Sequence, residues 1–238
     1  MKKTTLFCSC ALALCAGSLI AADTTPRQDI ENAARKLGAS PNYSWKTTIV
    51  VPENAPFKPG PTEGKTQSDG LTYISISFFG NTIQAVVKGK KGAATNQEGA
   101  WKSLEDLDKE EGPGRFLAVI VSNIRTPSTE AAQLASFAKD LKKQGDVYSG
   151  DLNEEGAKTM QLLKPRAGDE APTVSDAKGS VKFWLAKDGA LTKYEAKLKG
   201  TVHFGGNDFP NERTTTVEIK DVGTTKIEIP QAAQKKLE

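Results

Sequence analysis

The chain is poor in the residues that most often build metal centres and nucleophilic active sites. Its three cysteines, Cys8, Cys10 and Cys15, all lie within the first 22 residues, and His203 is its one histidine. Without those 22 residues the chain has no disulfide, no thiolate nucleophile and no cysteine ligand for a metal. A single histidine also excludes a multi-histidine metal site. We therefore expect no cofactor, no metal and no enzymatic activity.

The chain also lacks a strong excess of either charge. Removal of Lys2 and Lys3 with the first 22 residues leaves 30 basic against 29 acidic residues. Proteins that bind nucleic acid need a basic face to neutralise phosphates, so we expect no nucleic-acid partner. Beyond residue 22 no apolar run reaches the roughly 20 residues of a membrane span, so we expect no transmembrane segment in the mature chain.

The first 22 residues have the pattern of a secretion signal. Lys2 and Lys3 precede an apolar run from Leu6 to Ile20, and the small residues Ala21 and Ala22 come directly before the polar segment that begins at Asp23. This order is typical of a cleaved signal peptide. It predicts export of a single domain, residues 23–238, to the periplasm or the exterior.

A lipid anchor on this signal is disfavoured. The candidate acceptor, Cys15, follows Leu14, where a lipidation signal places a small residue. Cys8 and Cys10 lie too early in the apolar run. An exported domain without disulfides then depends on an ordinary hydrophobic core, for which 216 residues are long enough.

Hydrophobic periodicity predicts helices at the N-terminus and in the middle of the chain. Apolar residues recur with helical spacing. The predicted helices are 25–37, 114–125, 128–144 with Gly145 as its C-cap, and 154–163 with Asn153 as its N-cap.

Strand patterns occupy the rest of the chain. Period-two alternation or β-branched and aromatic residues predict strands at 43–51, 64–67, 71–79, 82–88, 147–152, 180–187, 191–204, 213–221 and 226–229, with a second hairpin through Gly89 to Gly92. The clearest is 193–204, whose even-numbered residues from Tyr194 to Phe204 are mostly apolar and whose odd-numbered residues are polar. Meandering strands with grouped helices predict an α+β fold with an antiparallel sheet, one face of which the helices cover.

This order of elements resembles the outer-membrane lipoprotein carrier superfamily, the LolA/LppX-like fold. The similarity is most specific in the segments 147–152, 181–185 with 188–194, and 217–223 with 227–230. That family has a curved antiparallel sheet, an open half-barrel, with helices covering its concave face. The resemblance implies a non-enzymatic carrier that holds an acyl chain, a lipoprotein or a similar apolar ligand between sheet and helical lid.

The residues expected where sheet meets helix are large and apolar. They form either a filled core or the lining of a pocket, and the pattern of the sequence does not separate the two. The candidates for lining a pocket are Trp45, Tyr73, Phe78, Phe116, Ile120, Phe137, Trp184, Tyr194 and Phe204. The alternative function is an envelope scaffold with a solid core that binds an envelope protein partner.

Three other patterns favour structural explanations. Strand parity places His203 on the solvent face. The segment from Asp151 to Gly156 imitates the start of a calcium loop, but Leu162 stands where the bidentate glutamate belongs, and helix capping by Asn153 explains the same residues. The acidic run 105–111 contains Lys109 and is typical of a solvated helix end.

Overall fold

The computed structural model describes residues 24–55, 57–78, 80–165, 168 and 170–238, the side chain of Phe78 excepted. The predicted signal at residues 1–22 lies outside these ranges. Among the described residues, none of the helices has both the length and the apolar character that crossing a bilayer requires.

Helices occur at both ends and in the middle of the described part of the chain. They are α1 (Pro26–Gly38), α2 (Leu104–Lys109), α3 (Pro113–Ser122), α4 (Pro127–Phe137), α5 (Glu154–Thr159) and α6 (Gln231–Gln234). The first helix shows how the sequence specifies its element. Thr25 caps its N-terminus in a reciprocal arrangement with Gln28, and Pro26 occupies the first turn. Its buried residues lie at helical spacing, from Ile30 to Leu37.

The described strands form one open antiparallel sheet. They are β1 (Asn42–Val50), β2 (Thr62–Gln67), β3 (Thr72–Phe78), β4 (Asn81–Lys88), β5 (Lys91–Thr95), β6 (Trp101–Ser103), β7 (Ala138–Gln144), β8 (Val147–Leu152), β9 (Thr173–Leu185), β10 (Leu191–Phe204) and β11 (Asn207–Lys220). Their order across the sheet is β6-β5-β4-β3-β2-β1-β11-β10-β9-β8-β7. The predicted α+β fold with a curved antiparallel sheet is confirmed.

Helices α1 to α5 pack on the concave face and make two separate cores. Helices α1, α4 and α5 cover β7 to β10, and the first core includes Ile30, Leu134, Phe183, Tyr194 and Val217. Helices α2 and α3 cover β4 to β6, and the second core includes Ile83, Leu107, Leu117 and Val121. One sheet thus carries two packed helical groups with a boundary between them.

The prediction of a helix over 128–144 was wrong in its second half. The helix α4 ends at Phe137, and the next seven residues form β7, which pairs with β8. Asp140 takes a positive φ of 44° at a bulge in this strand, and Gly145 lies in the turn to β8 with a φ of 62°. Leu141 has helical spacing from Phe137, but the segment pairs with β8, and this tertiary pairing overrides the local spacing.

The C-terminal segment lies against the outer face of the sheet instead of forming the predicted strand at 226–229. The Lys65 side chain, on the outer face of β2, donates to the carbonyl of Lys226 over 3.2 Å. Farther along, α6 contacts β6 and fully buries Ala233. The segment consequently covers one edge of the sheet, which blunts an edge prone to aberrant pairing.

Candidate functional site

An open apolar cleft of about 750 Å³ lies at the boundary between the two cores. Its walls are α3, the segment that follows α5, and the ends of β10 and β11. Its apolar lining consists of Phe57, Phe116, Val119, Leu162, Leu163, Pro165, Pro172, Val202, Phe204, Phe209 and Pro210. The volume is within the range of about 300–1,000 Å³ typical of ligand pockets. An elongated apolar molecule fits such a surface.

Large apolar side chains are exposed around the mouth of this cleft. We call Phe57, Phe116, Leu163, Phe204 and Phe209 the apolar rim; their residues are 36–51% exposed. Among the described residues only two other large apolar residues, Val50 and Val222, are comparably exposed. A concentration of this kind marks a binding surface, since scattered single apolar residues are the norm elsewhere.

Strand geometry brings Val202, Phe204 and Phe209 to the same face of the sheet. Gly205 and Gly206, with φ of 57° and 73°, make the two-residue turn between β10 and β11. Across that turn Val202 pairs with Phe209, so both side chains share the concave face with Phe204. The helix α3 supplies the opposite wall: Leu117 and Val121 pack on the sheet, whereas Phe116 lies over the cleft.

The floor of the cleft is polar and internally hydrogen-bonded. Asn211 donates to Oε1 of Gln161 over 3.1 Å, and Gln161 donates to the carbonyl of Ala157 over 2.9 Å. Behind them Arg213 donates to Oδ1 of Asn211 and to the carbonyl of Met160. The side chains of Asn211, Gln161 and Arg213 thus all donate to acceptors within the protein. The polar groups at the floor of the cleft need no ligand to satisfy them.

One side chain joins two walls of the cleft. Asn123, just after α3, accepts from the backbone N–H of Lys164 over 2.6 Å and donates to its carbonyl over 3.3 Å. It also donates to the carbonyl of Val119 in its own helix. Asn123 therefore sets the distance between α3 and the segment that follows α5.

A buried acid lies deeper, between α4 and the sheet. The Tyr194 hydroxyl donates to Oε2 of Glu130 over 2.5 Å. Burial raises the pKa of Glu130, although the Tyr194 hydroxyl and the charges of Arg125 and Arg213 oppose the shift. Burial and the same carboxyl raise the pKa of Tyr194 well above its ordinary value. The pair ties α4 to β10.

The nine candidate lining residues fall into four groups. Phe116 and Phe204 line the cleft. Trp45 and Tyr194 are almost fully buried in the first core, Phe137 packs against that core, and Ile120 is half-buried on α3. Phe78 lies outside the described side chains. Of the nine candidates, only Phe116 and Phe204 lie together at the cleft.

Tyr73 and Trp184 belong to the fourth group, on the outer face of the sheet. Trp184 pairs with Lys193, whose Nζ lies 4.5 Å from its ring centroid, and its neighbours in sequence, Phe183 and Leu185, point to the core. Tyr73 pairs with Val86, on the face opposite Ile74. Neither side chain faces the helices.

The sequence interpretation missed several lining residues, among them Phe57, Leu163 and Phe209. The predicted last long strand began at Arg213, whereas β11 begins at Asn207. Counting pairs across the Gly205–Gly206 turn would have placed Phe209 opposite Val202, so a signal for it existed. Phe57 and Leu163 lie in irregular segments, where periodicity carries no such information.

His203 takes part in a network on the outer face of the sheet. Its Nδ1 lies 2.6 Å from Oδ1 of Asp208, and its Nε2 lies 2.8 Å from Oγ of Ser175. Hydroxyl, imidazole and carboxylate follow one another as in a nucleophilic triad. However, the Asp208 side chain is 73% exposed, and none of the three lines the apolar cleft. The network instead joins β9, β10 and β11 beside Phe204.

Two other clefts are more polar. One of about 390 Å³ lies beside α1, and one of about 400 Å³ lies beside α2. The first is lined by residues that include Asp29, Asn32, Lys36, Lys143, Asp146, Lys187 and Asp188. Among the described residues, no group of three or more histidine, cysteine, aspartate or glutamate side chains could hold a metal ion. Asn153 caps α5 by accepting from the N–H of Gly156, as predicted.

Comparison with known proteins gives a likeness in fold. No protein-family model matches the chain, and no curated protein matches it in sequence. The lipoprotein LppX of Mycobacterium tuberculosis is similar in structure, with a TM-score of 0.51 and 10% identity over 86% of this chain and 98% of that chain.

Two further solved structures match at lower scores. LprF from Mycobacterium bovis has a TM-score of 0.47 and 12% identity, over 87% of this chain and 97% of that chain. A LolA superfamily protein from Nitrosomonas europaea has a TM-score of 0.33 and 8% identity, over 86% and 96%. The predicted LolA/LppX-like fold is confirmed by the likeness to LppX, which at this identity shows the fold alone.

Proposed function

Because the chain has a LolA/LppX-like fold, we propose that it is a non-enzymatic carrier that holds an acyl chain in the apolar cleft. The proposal includes export by the signal at residues 1–22 and function of residues 23–238, as one domain, in the periplasm or outside the cell. The observation that carries it is the apolar rim. Five large side chains on separate segments are left partly exposed around one cleft.

Burial of apolar surface would supply the affinity. Each methylene transferred from water into such a cleft contributes about 0.8 kcal/mol. Phe116, Phe204 and Phe209 would lose water contact together with the chain. The two cores on either side are already packed, so the ligand would occupy the boundary between them and leave the fold intact.

The experiment combines native mass spectrometry with palmitate titration of the purified chain. We expect acyl species to copurify and palmitate to bind saturably. Phe116→Asp should weaken palmitate binding by about tenfold or more, because it places a carboxylate on the apolar wall. Position 116 lies in the first turns of α3, where a negative charge is favourable, so the fold should tolerate it.

The matched control is Val222→Asp. Val222 is 48% exposed, close to the 50% of Phe116, but it lies away from the cleft. It should bind palmitate as the wild type does. Absence of both copurified lipid and saturable binding would contradict the carrier proposal and favour the scaffold alternative.

A further inference from the structure

Two residues of the apolar rim, Phe204 and Phe209, lie at the end of the hairpin that β10 and β11 form. Pairing between β9 and β10 stops at Thr173 with His203, and pairing between β1 and β11 stops at Val50 with Thr214. Among the described residues, only β10 therefore pairs with residues 207–213 of β11. Phe204 and Phe209 flank the turn of this extended end and are 50% and 51% exposed.

The free edge of this hairpin is poorly suited to accept a strand from another protein. Strand addition requires a continuous row of backbone donors and acceptors. Pro210, in the middle of the edge, has no N–H to donate. The side chains at this end, and not its backbone, are what a partner would contact.

Cations adjoin two of the exposed apolar residues. Arg115 directly precedes Phe116 on α3, and Lys164 directly follows Leu163. Both cations line the cleft, where Glu170 is the one acid among the described lining residues. Apolar side chains that enter the acyl region beside basic side chains at headgroup level are typical of proteins that lie on a bilayer surface.

We propose that the apolar rim, with Arg115 and Lys164, docks on the surface of a bilayer that contains anionic phospholipid. The mouth of the cleft then faces the membrane, and an acyl chain passes between the two without crossing water. This inference names the partner of the site and rests on the proposed carrier function. The rim enters the interface, and the two cations contact lipid phosphates.

The test is cosedimentation of the full chain with large unilamellar vesicles. One set contains phosphatidylcholine alone, and the other contains equal amounts of phosphatidylcholine and phosphatidylglycerol. We expect binding to the anionic vesicles that decreases as salt is raised. The double variant Phe204→Ser with Phe209→Ser should lower the partition coefficient by about tenfold or more, from the lost burial of two half-exposed rings.

The matched control, Val50→Ser with Val222→Ser, removes the two large exposed apolar residues that lie outside the rim. It should sediment like the wild type. If the phenylalanine variant does not fold, Arg115→Gln with Lys164→Gln serves instead, and it should abolish the preference for anionic vesicles. A control variant that loses binding as strongly as the rim variant would overturn the inference.

Failure of docking and failure of the carrier function give different results. Wild-type protein that binds palmitate in solution but does not sediment with either vesicle refutes docking alone. Protein that sediments through its rim but neither copurifies with lipid nor binds palmitate supports docking and refutes the carrier proposal. Sedimentation that is equal for all variants shows nonspecific adsorption and refutes the rim as the docking surface.

Discussion

At the scale of single residues, the buried Glu130 makes folding stability depend on pH. Burial raises its pKa above the ordinary value of 4.5, despite the hydrogen bond from Tyr194. A carboxyl group with a higher pKa in the folded state contributes its full stabilisation below the unfolded pKa. It loses that contribution as pH rises through the folded pKa.

We therefore expect Glu130→Gln, which cannot ionise, to become progressively more stable relative to wild type as pH rises. Urea unfolding of both proteins between about pH 4 and about pH 8 measures the difference in the free energy of unfolding. Glutamine keeps an acceptor for the Tyr194 hydroxyl, so the comparison isolates ionisation. A difference that stays constant over this range would refute the assignment.

Gly64 is required because a ring occupies the space where its side chain would be. An added Cβ would lie 2.1 Å from Cζ2 of Trp45, which is buried in the first core. We expect Gly64→Ala to lower the free energy of unfolding by about 1–3 kcal/mol through overpacking. The control is Gly38→Ala, whose Cβ would meet Ser128 at an ordinary 3.4 Å. Equal stability of the two variants would contradict this account.

At the scale of elements, the cleft depends on how α3 is held against the segment after α5. Asn123→Ala removes both bonds to the Lys164 backbone. We expect a loss of about 1 kcal/mol in stability and faster hydrogen exchange at the Lys164 amide. Asn123→Asp keeps an acceptor for that amide and should protect it better than alanine does. Unchanged exchange in the alanine variant would show that other contacts hold the wall.

At the scale of the whole molecule, the C-terminal segment completes the second half of the sheet. Val86 and Ala93 lie on the outer face of β4 and β5 yet are fully buried, and Lys65 joins that face to the segment at Lys226. Deletion of residues 225–238 should expose this apolar surface. We expect a loss of roughly 2–4 kcal/mol and a tendency to associate.

Size-exclusion chromatography and thermal unfolding test this expectation. The control deletion, residues 235–238, keeps the buried Ala233 of α6. It should have nearly the stability of the intact chain. If the longer deletion unfolds at the same temperature as the intact protein, the segment is not part of the stabilising cover.

Local sequence pattern is sufficient to place a side chain on one face of a strand where the two faces differ in polarity. The strand 193–204 alternates apolar and polar residues, and its two faces were predicted correctly because one is buried and the other faces solvent. Parity would also have placed Trp184 on the outer face, since its neighbours Phe183 and Leu185 are apolar and face the core. Its inclusion among the candidates followed residue size and disregarded this signal.

Tyr73 could have been placed in the same way. On β3, Ile74 and Ile76 alternate with Ser75 and Ser77, and Tyr73 has the parity of the two serines. Ile74 pairs with Ala85 of the second core, so Tyr73 lies on the other face of the sheet. The second half of the predicted helix 128–144 is a different case: its local spacing is helical, but the segment pairs with β8 as β7, and local spacing contains no information about that pairing.

The sequence by itself determined the N-terminal helix, most of the longer strands and the antiparallel pairing of those strands with their neighbours. Each of these follows from the spacing of residues close together in the chain. Tertiary structure alone decided that the two cores meet at a cleft lined from distant segments by Phe57, Phe116 and Phe209. Whether an apolar side chain is buried or borders a cleft depends on what packs against it, and its neighbours in sequence do not contain that information.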